Sequence, residues 1–141
     1  MGGSLGLDVG TQTIGVAATD ALGMLAHPLV TITRRSVVRD ADEIAKIARD
    51  RKVERVIVGM PYELDGTEER SAKLARQVGD RVAEVTGLPV QYVDERYSSV
   101  EAESRLLQAN LKRAKRKEVI DQMAAVIILE RWMASPSGRG E

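Results

Sequence analysis

The sequence predicts an α/β fold built on a mixed five-stranded sheet, in the order 3-2-1-4-5, with helices on its faces. Three observations lead there. Leu5 to Val9, Ile14 to Asp20 and Pro28 to Thr33 are strand-like runs, separated by Gly10-Thr-Gln-Thr13 and Ala21-Leu-Gly23, whose glycine and polar residues suit tight antiparallel turns. Two strand–helix alternations follow, and crossover helices require strands four and five to run parallel. Adjacency then places strands one and four at the centre, with their C-terminal ends flanking a ligand crevice. At 141 residues and 43% apolar composition one core is expected. We assign it to a single domain over residues 1–134, with 135–141, which carries Ser, Pro and Gly but no apolar anchor, as a disordered tail.

Each later element has its own signal. Asp40-Ala-Asp-Glu43 supplies acids suited to a helix N-terminus, and Ile44, Ile47 and Ala48 recur at helical spacing, so a helix is expected to about Arg51. Arg55 to Gly59 is a short β-branched run, the fourth strand. Thr67-Glu-Glu is placed to cap a second helix whose stripe is Leu74, Ala75, Val78, Val82 and Val85, stopped by Gly87. Val90 to Asp94 is the fifth strand, and Ser98-Ser-Val-Glu101 has capping-box spacing ahead of Ala102, Leu106 and Leu107. After the basic run Lys112 to Lys117 a last helix places Ile120, Ala124, Ile127 and Ile128 on one face.

Composition narrows the chemistry. Cysteine is absent, which removes thiol nucleophiles and cysteine-ligated metals and fits a reducing compartment. The single histidine, His27, precedes Pro28 at a strand entrance, with nothing around it that resembles a triad. Lys plus Arg and Asp plus Glu both total 21, so no whole-chain field attracts nucleic acid and local clusters must decide. With no apolar stretch long enough to span a bilayer and no leader-like start, a soluble cytoplasmic protein without membrane association is expected. Catalysis must rest on carboxylates, hydroxyls, amines or bound metal.

Four acids stand out. Asp8 lies inside an otherwise apolar strand between Gly6, Gly10 and Gly15, which admit another backbone or a phosphate; a buried carboxylate there is either satisfied by arginine or amides or binds a cation. Glu95, in Asp94-Glu-Arg96, leaves the fifth strand on the same expected edge, with salt-bridged solvation the plainer role for Asp94. Asp121 is helical beside the small Ala124 and Ala125, either marking the helix's polar border or facing the sheet, and Glu118 shares its face as a candidate for a fourth ligand or for a group that supports the ligands from behind. Among cations, Lys112, Arg113, Lys115, Arg116 and Lys117 form either a phosphate-binding run or a solvated face, with Arg96 and Arg70 as weaker candidates. Tyr62 and Tyr97, on loops after strands, are placed to touch a base or sugar, whereas Trp132 reads as packing.

Four ordered motifs carry a resemblance: Gly6-x-Asp8-x-Gly10-x-x-x-Ile-Gly15-Val-Ala, Val58-Gly-x-Pro61-x-x-x-Asp65-Gly66-Thr, Asp94-Glu-Arg-x-Ser-Ser99 and Asp121-x-x-Ala124-Ala-x-x-Ile-Leu129. Together, from Leu5 to Met133, they resemble the YqgF/RuvX family. The resemblance implies an RNase H-like fold, kinship to RuvC-type Holliday-junction resolvases, a role in maturing the 5′ end of pre-16S rRNA, and Asp8, Glu95 and Asp121 as the acidic triad. One departure is that Gln12 and Thr13 stand where family members often carry a Lys or Arg.

Such carboxylates suit Mg²⁺ or Mn²⁺, and two ions about 4 Å apart generate a hydroxide and stabilise a leaving oxygen. A metal-dependent phosphodiester endonuclease is therefore expected, acting as monomer or homodimer on a structured RNA precursor or branched DNA. Two other readings stand beside it. One is a catalytically silent nucleic-acid-binding module. The other is a phosphotransferase of the sugar- and acetate-kinase class, since Asp8-Val-Gly-Thr11 resembles that class's first phosphate loop, although those enzymes need two such domains.

Overall fold

The computed structural model describes residues 2–61, 70–96, 98–109, 113–136 and 138, with the side chains at 98, 99 and 113–118 outside the description. Its elements run β1 (Ser4–Val9), β2 (Thr13–Thr19), β3 (Ala26–Thr33), α1 (Val37–Arg51), β4 (Arg55–Met60), α2 (Arg70–Thr86), β5 (Val90–Asp94), α3 (Ser98–Gln108) and α4 (Arg113–Ala134). The sheet order is β3-β2-β1-β4-β5, the expected one. β1 to β3 form an antiparallel meander, and β4 joins β1 and β5 in parallel.

Alternation divides the sheet's side chains between two cores. Leu5, Leu7, Val9, Ile14, Val16, Val56, Val58 and Met60 face α1 and α2, whose buried stripes include Ile44, Ala48, Ala75, Val78 and Val82. The intervening positions face α4, and several are small. Ala17 and Ile57 pack there with Ala125, Ile128, Leu129 and Trp132, and Gly6, Gly15 and Gly59 leave a trough for the helix. A Cβ at Gly6 would lie 3.0 Å from the Ala125 carbonyl oxygen, and one at Gly15 would overlap the Asp121 backbone. Gly6 and Gly15 thus receive a helix backbone. Trp132 is a packing residue, as read from the sequence: its Nε1–H donates to Gln91 Oε1 at 2.7 Å and Arg55 lies over its ring.

Two helix starts differ from the sequence reading. α1 begins at Val37, because the Ser36 hydroxyl accepts from the Arg39 N–H and caps the helix there. Asp40 is consequently no exposed dipole partner; it is fully buried against Arg34 at 2.7 Å and accepts from the Arg35 N–H. α4 begins at Arg113, so most of the basic run forms its opening turns rather than the approach to it. At the C-terminal end the Ser135 N–H donates to the Trp132 carbonyl and the Gly138 N–H to Ser135 Oγ, while 137 and 139–141 lie outside the described residues. Among the described residues no helix is long and apolar enough to cross a membrane.

Candidate active site

The three acids come from three elements. Asp8 stands near the end of β1 opposite Gly15 of β2, Glu95 directly follows β5, and Asp121 lies in the α4 segment that crosses Gly15. Each is held by a specific local device. The Glu95 N–H donates to the Met60 carbonyl at 3.1 Å, continuing the β4–β5 ladder by one residue. Its side chain, only 6% exposed, sits where a Cβ at Gly59 would come within 2.9 Å of its carboxyl carbon. Glycine at position 59 therefore clears room for both this acid and Ile128 of α4.

Asp8 lies within hydrogen-bonding reach of Glu95. Burial pushes the Asp8 carboxyl above its ordinary value of 3.8; the bond to Glu95 works against that rise, and the nearby charge of Asp121 adds to it. Asp121 in turn accepts a hydrogen bond from the Thr13 hydroxyl of β2. Among the described residues no group of three Asp, Glu or His side chains is arranged to hold an ion as it stands. The donor set itself, all carboxylate oxygen, fits a hard divalent cation, which would offset the crowded charge.

The remaining predicted residues fall into two groups. Asp94 and Arg96 pair with each other at 2.6 Å, and the Arg96 guanidinium holds the Asp94 carboxyl below its usual range. The plainer reading of Asp94 is thus met, and Arg96 already serves a carboxylate. Tyr62, Asp65, Gly66, Thr67, Tyr97 and Lys112 lie outside the described residues, as do the side chains of Arg113, Lys115, Arg116, Lys117 and Glu118. His27 rests at the edge strand against an Arg51 nitrogen at 3.1 Å, far in character from any triad.

Three positioning residues escaped the sequence reading. Thr13 was noted only as a missing cation, yet its hydroxyl engages Asp121. Arg131 of α4 donates to the carbonyls of Asp94 and Arg96, both at 3.0 Å, and so clamps the chain on either side of Glu95. Arg34 donates to the Gly10 carbonyl at 2.9 Å while paired with buried Asp40, tying the β1–β2 turn to α1. For Thr13, the available signal was its place at the start of a strand two positions from Gly15; nothing in the sequence marked Arg131.

With this arrangement in view, the comparison with known proteins is decisive at the family level. The model of the RuvX family, described as Holliday junction resolvase, matches residues 2–135. The chain belongs to the RuvX family. Two relatives bear the name "Putative pre-16S rRNA nuclease". The one from Myxococcus xanthus is 42% identical over 92% of this chain and 86% of its own length. The one from Symbiobacterium thermophilum is 46% identical over 95% and 93%. Among solved structures, Thermus thermophilus RuvC superposes with a TM-score of 0.61 at 16% identity, covering 98% of this chain and 96% of that one. At that identity the likeness shows the fold, which is the RNase H-like fold expected for a RuvX protein.

Proposed function

We propose that this RuvX protein is a divalent-metal-dependent endonuclease that hydrolyses phosphodiester bonds, with Asp8, Glu95 and Asp121 as the metal-holding acids. The observation that carries the reading is that β1, the end of β5 and α4 bring the three acids to one end of the sheet: Asp8 pairs with Gly15, against which the Asp121 backbone packs, and the Glu95 carboxyl lies against Gly59. Buried carboxylates kept this close are costly without a cation, and a fold that devotes Gly15 and Gly59 to bringing their carriers together is organised around that cost. Mg²⁺ or Mn²⁺ bound there would supply a hydroxide nucleophile at neutral pH and neutralise the leaving oxygen.

The chain's own residues do the placing. Arg131 fixes the segment that carries Glu95, Thr13 holds Asp121 in register with β2, and Arg34 fixes the turn beyond Asp8. Glu118 and the basic residues Lys112, Arg113, Lys115, Arg116 and Lys117 belong to the same proposal, as a fourth ligand and as phosphate contacts near the opening of α4. A single domain over 1–134 suffices for this chemistry.

Relatives named for pre-16S rRNA and a family described by Holliday junctions support two substrates, both presenting phosphates on structured nucleic acid. The RNA reading is favoured by the names of the relatives and implies a cytoplasmic site of action. The test is purified protein with Mg²⁺ or Mn²⁺ assayed side by side on a precursor 16S rRNA fragment and a four-way DNA junction. Metal-dependent cleavage of either is expected, and binding without cleavage under all conditions would leave the silent-module reading in its place.

A further inference from the structure

A cavity of ≈ 770 Å³ lies at the same sheet edge as the acids but on the opposite face, beside α1 and α2. Among the described residues Thr11 of the β1–β2 turn, Arg34 and Arg35 after β3, and Arg70, Lys73 and Gln77 of α2 line it, with Leu74 as an apolar wall. The topology explains the juxtaposition: β1, β3 and β4 all run towards this edge, so the turn after β1, the loop after β3 and the start of the helix after β4 meet there.

The cations divide into structural and available ones. Arg34 is committed to Asp40 and Gly10, and Arg35 pairs with Glu43 at 2.8 Å on an exposed surface, an arrangement of little energetic weight. Arg70 and Lys73 are exposed, three residues apart on one helix face, and neither is ion-paired among the described residues. Both lie in the first turn of α2, where the helix dipole disfavours cations and where the described residues supply no acid. With Arg34 and Arg35 they make four cations lining one cavity, a concentration that suits an anion. The Thr11 hydroxyl and Gln77 amide add neutral hydrogen-bonding groups of the kind that accompany phosphate contacts.

We infer that this cavity is a binding site for the phosphodiester backbone of the substrate, engaged through Arg70 and Lys73 at a phosphate other than the one cleaved. The inference rests on the nuclease reading and gives it a substrate path: one strand runs over the sheet edge from the carboxylates on the α4 face to the cations on the α2 face. It also answers the absence of a cation at Gln12 and Thr13. The turn contributes Thr11 to the cavity, and the positive charge arrives from α2 and from the loop after β3. That loop is fastened to the turn by Arg34, whose N–H donates to the Gln12 carbonyl and whose guanidinium donates to the Gly10 carbonyl.

The test uses the full chain carrying Arg70→Ala and Lys73→Ala, both exposed helical positions where alanine is well tolerated. Binding of a labelled precursor 16S rRNA fragment and of a four-way DNA junction is measured by anisotropy across a salt series with chelator present. Two lost contacts flatten the log–log salt slope by roughly 1.4 for a single strand or 1.8 for a duplex, and raise the dissociation constant about ten- to thirty-fold near physiological salt. Cleavage at saturating substrate should change much less than KM. Lys73→Arg should retain the parental slope, as should Lys46→Ala on α1, outside the cavity. A double variant with parental affinity and slope overturns the inference. Asp8→Asn in the same series separates the two readings: if it still cleaves while the double variant loses binding, the cavity stands and the acid assignment falls. Parental protein that binds neither probe overturns both.

Discussion

Gly15→Ala offers the sharpest mutational probe of how the site is assembled. A Cβ at this position overlaps the carbonyl carbon and oxygen of Asp121 and lies 2.9 Å from its Cβ, whereas ordinary contacts begin at 3.4 Å. The obstacle is helix backbone, which cannot rotate aside, so α4 must retreat from β2 by about 1 Å or more, enough for a misplacement that can cost about 10²-fold in rate. Overpacking of this kind costs about 1–3 kcal/mol, which for a chain of this size lowers Tm by roughly 3–10 °C. The substitution leaves the proposed ligands Asp8, Glu95 and Asp121 in the chain and acts only on their placement. Thermal unfolding and metal-dependent cleavage should therefore both decline in Gly15→Ala. The control is Gly87→Ala after α2, where nothing lies within 4 Å and a φ of +71° makes the cost conformational; it should lose about 1–2 kcal/mol with cleavage intact. A Gly15→Ala protein with parental Tm and cleavage rate would refute the claim that α4 is seated by this glycine.

Two further substitutions test the electrostatics. The native Asp8 carboxyl binds its proton more tightly than the unfolded chain's does, so its contribution weakens the fold as pH rises above 3.8 and through the raised native value. Asp8→Asn should then unfold at an equal or higher denaturant concentration than the parent at neutral pH in chelator, with the gap closing as pH approaches 3.8; a clearly less stable variant at neutral pH would contradict this sign. Arg34→Ala leaves Asp40 buried and unpaired, and also frees the Gly10 turn. It should cost about 3–5 kcal/mol in denaturant unfolding, and a loss below about 1 kcal/mol would show that the pair is not the strap between β1–β2 and α1.

The sheet was legible because its signals are local: each strand is a short apolar-rich run bounded by turn or helix signals, and adjacency and crossover rules leave little freedom in their order. Val90 to Asp94 was read to the residue. Asp40 was misread because its partner, Arg34, sits before the helix and turns an apparent dipole acid into a buried ion pair. The basic run was separated from the last helix because its lack of apolar periodicity hides a helix end that the backbone continues regardless. At the site, acids in ordered motifs could be named, but the devices that hold them could not. Thr13 reaches Asp121 across 108 positions of chain and Arg131 reaches Asp94 across 37, and no local pattern encodes contacts between a strand and a helix so far apart. Gly6 and Gly15 were correctly read as close-approach positions, although the approaching backbone is α4 and not a ligand.

The central claim is that Asp8, Glu95 and Asp121 together hold the divalent ion. Calorimetric titration of Mn²⁺ into the parental chain and into Asp8→Asn, Glu95→Gln and Asp121→Asn, each verified as folded by circular dichroism, tests it directly. Saturable binding by the parent, lost or at least tenfold weaker in each of the three variants, is the predicted result. Parental-like Mn²⁺ binding in all three would contradict it and move the metal, if the protein uses one, to a different set of ligands.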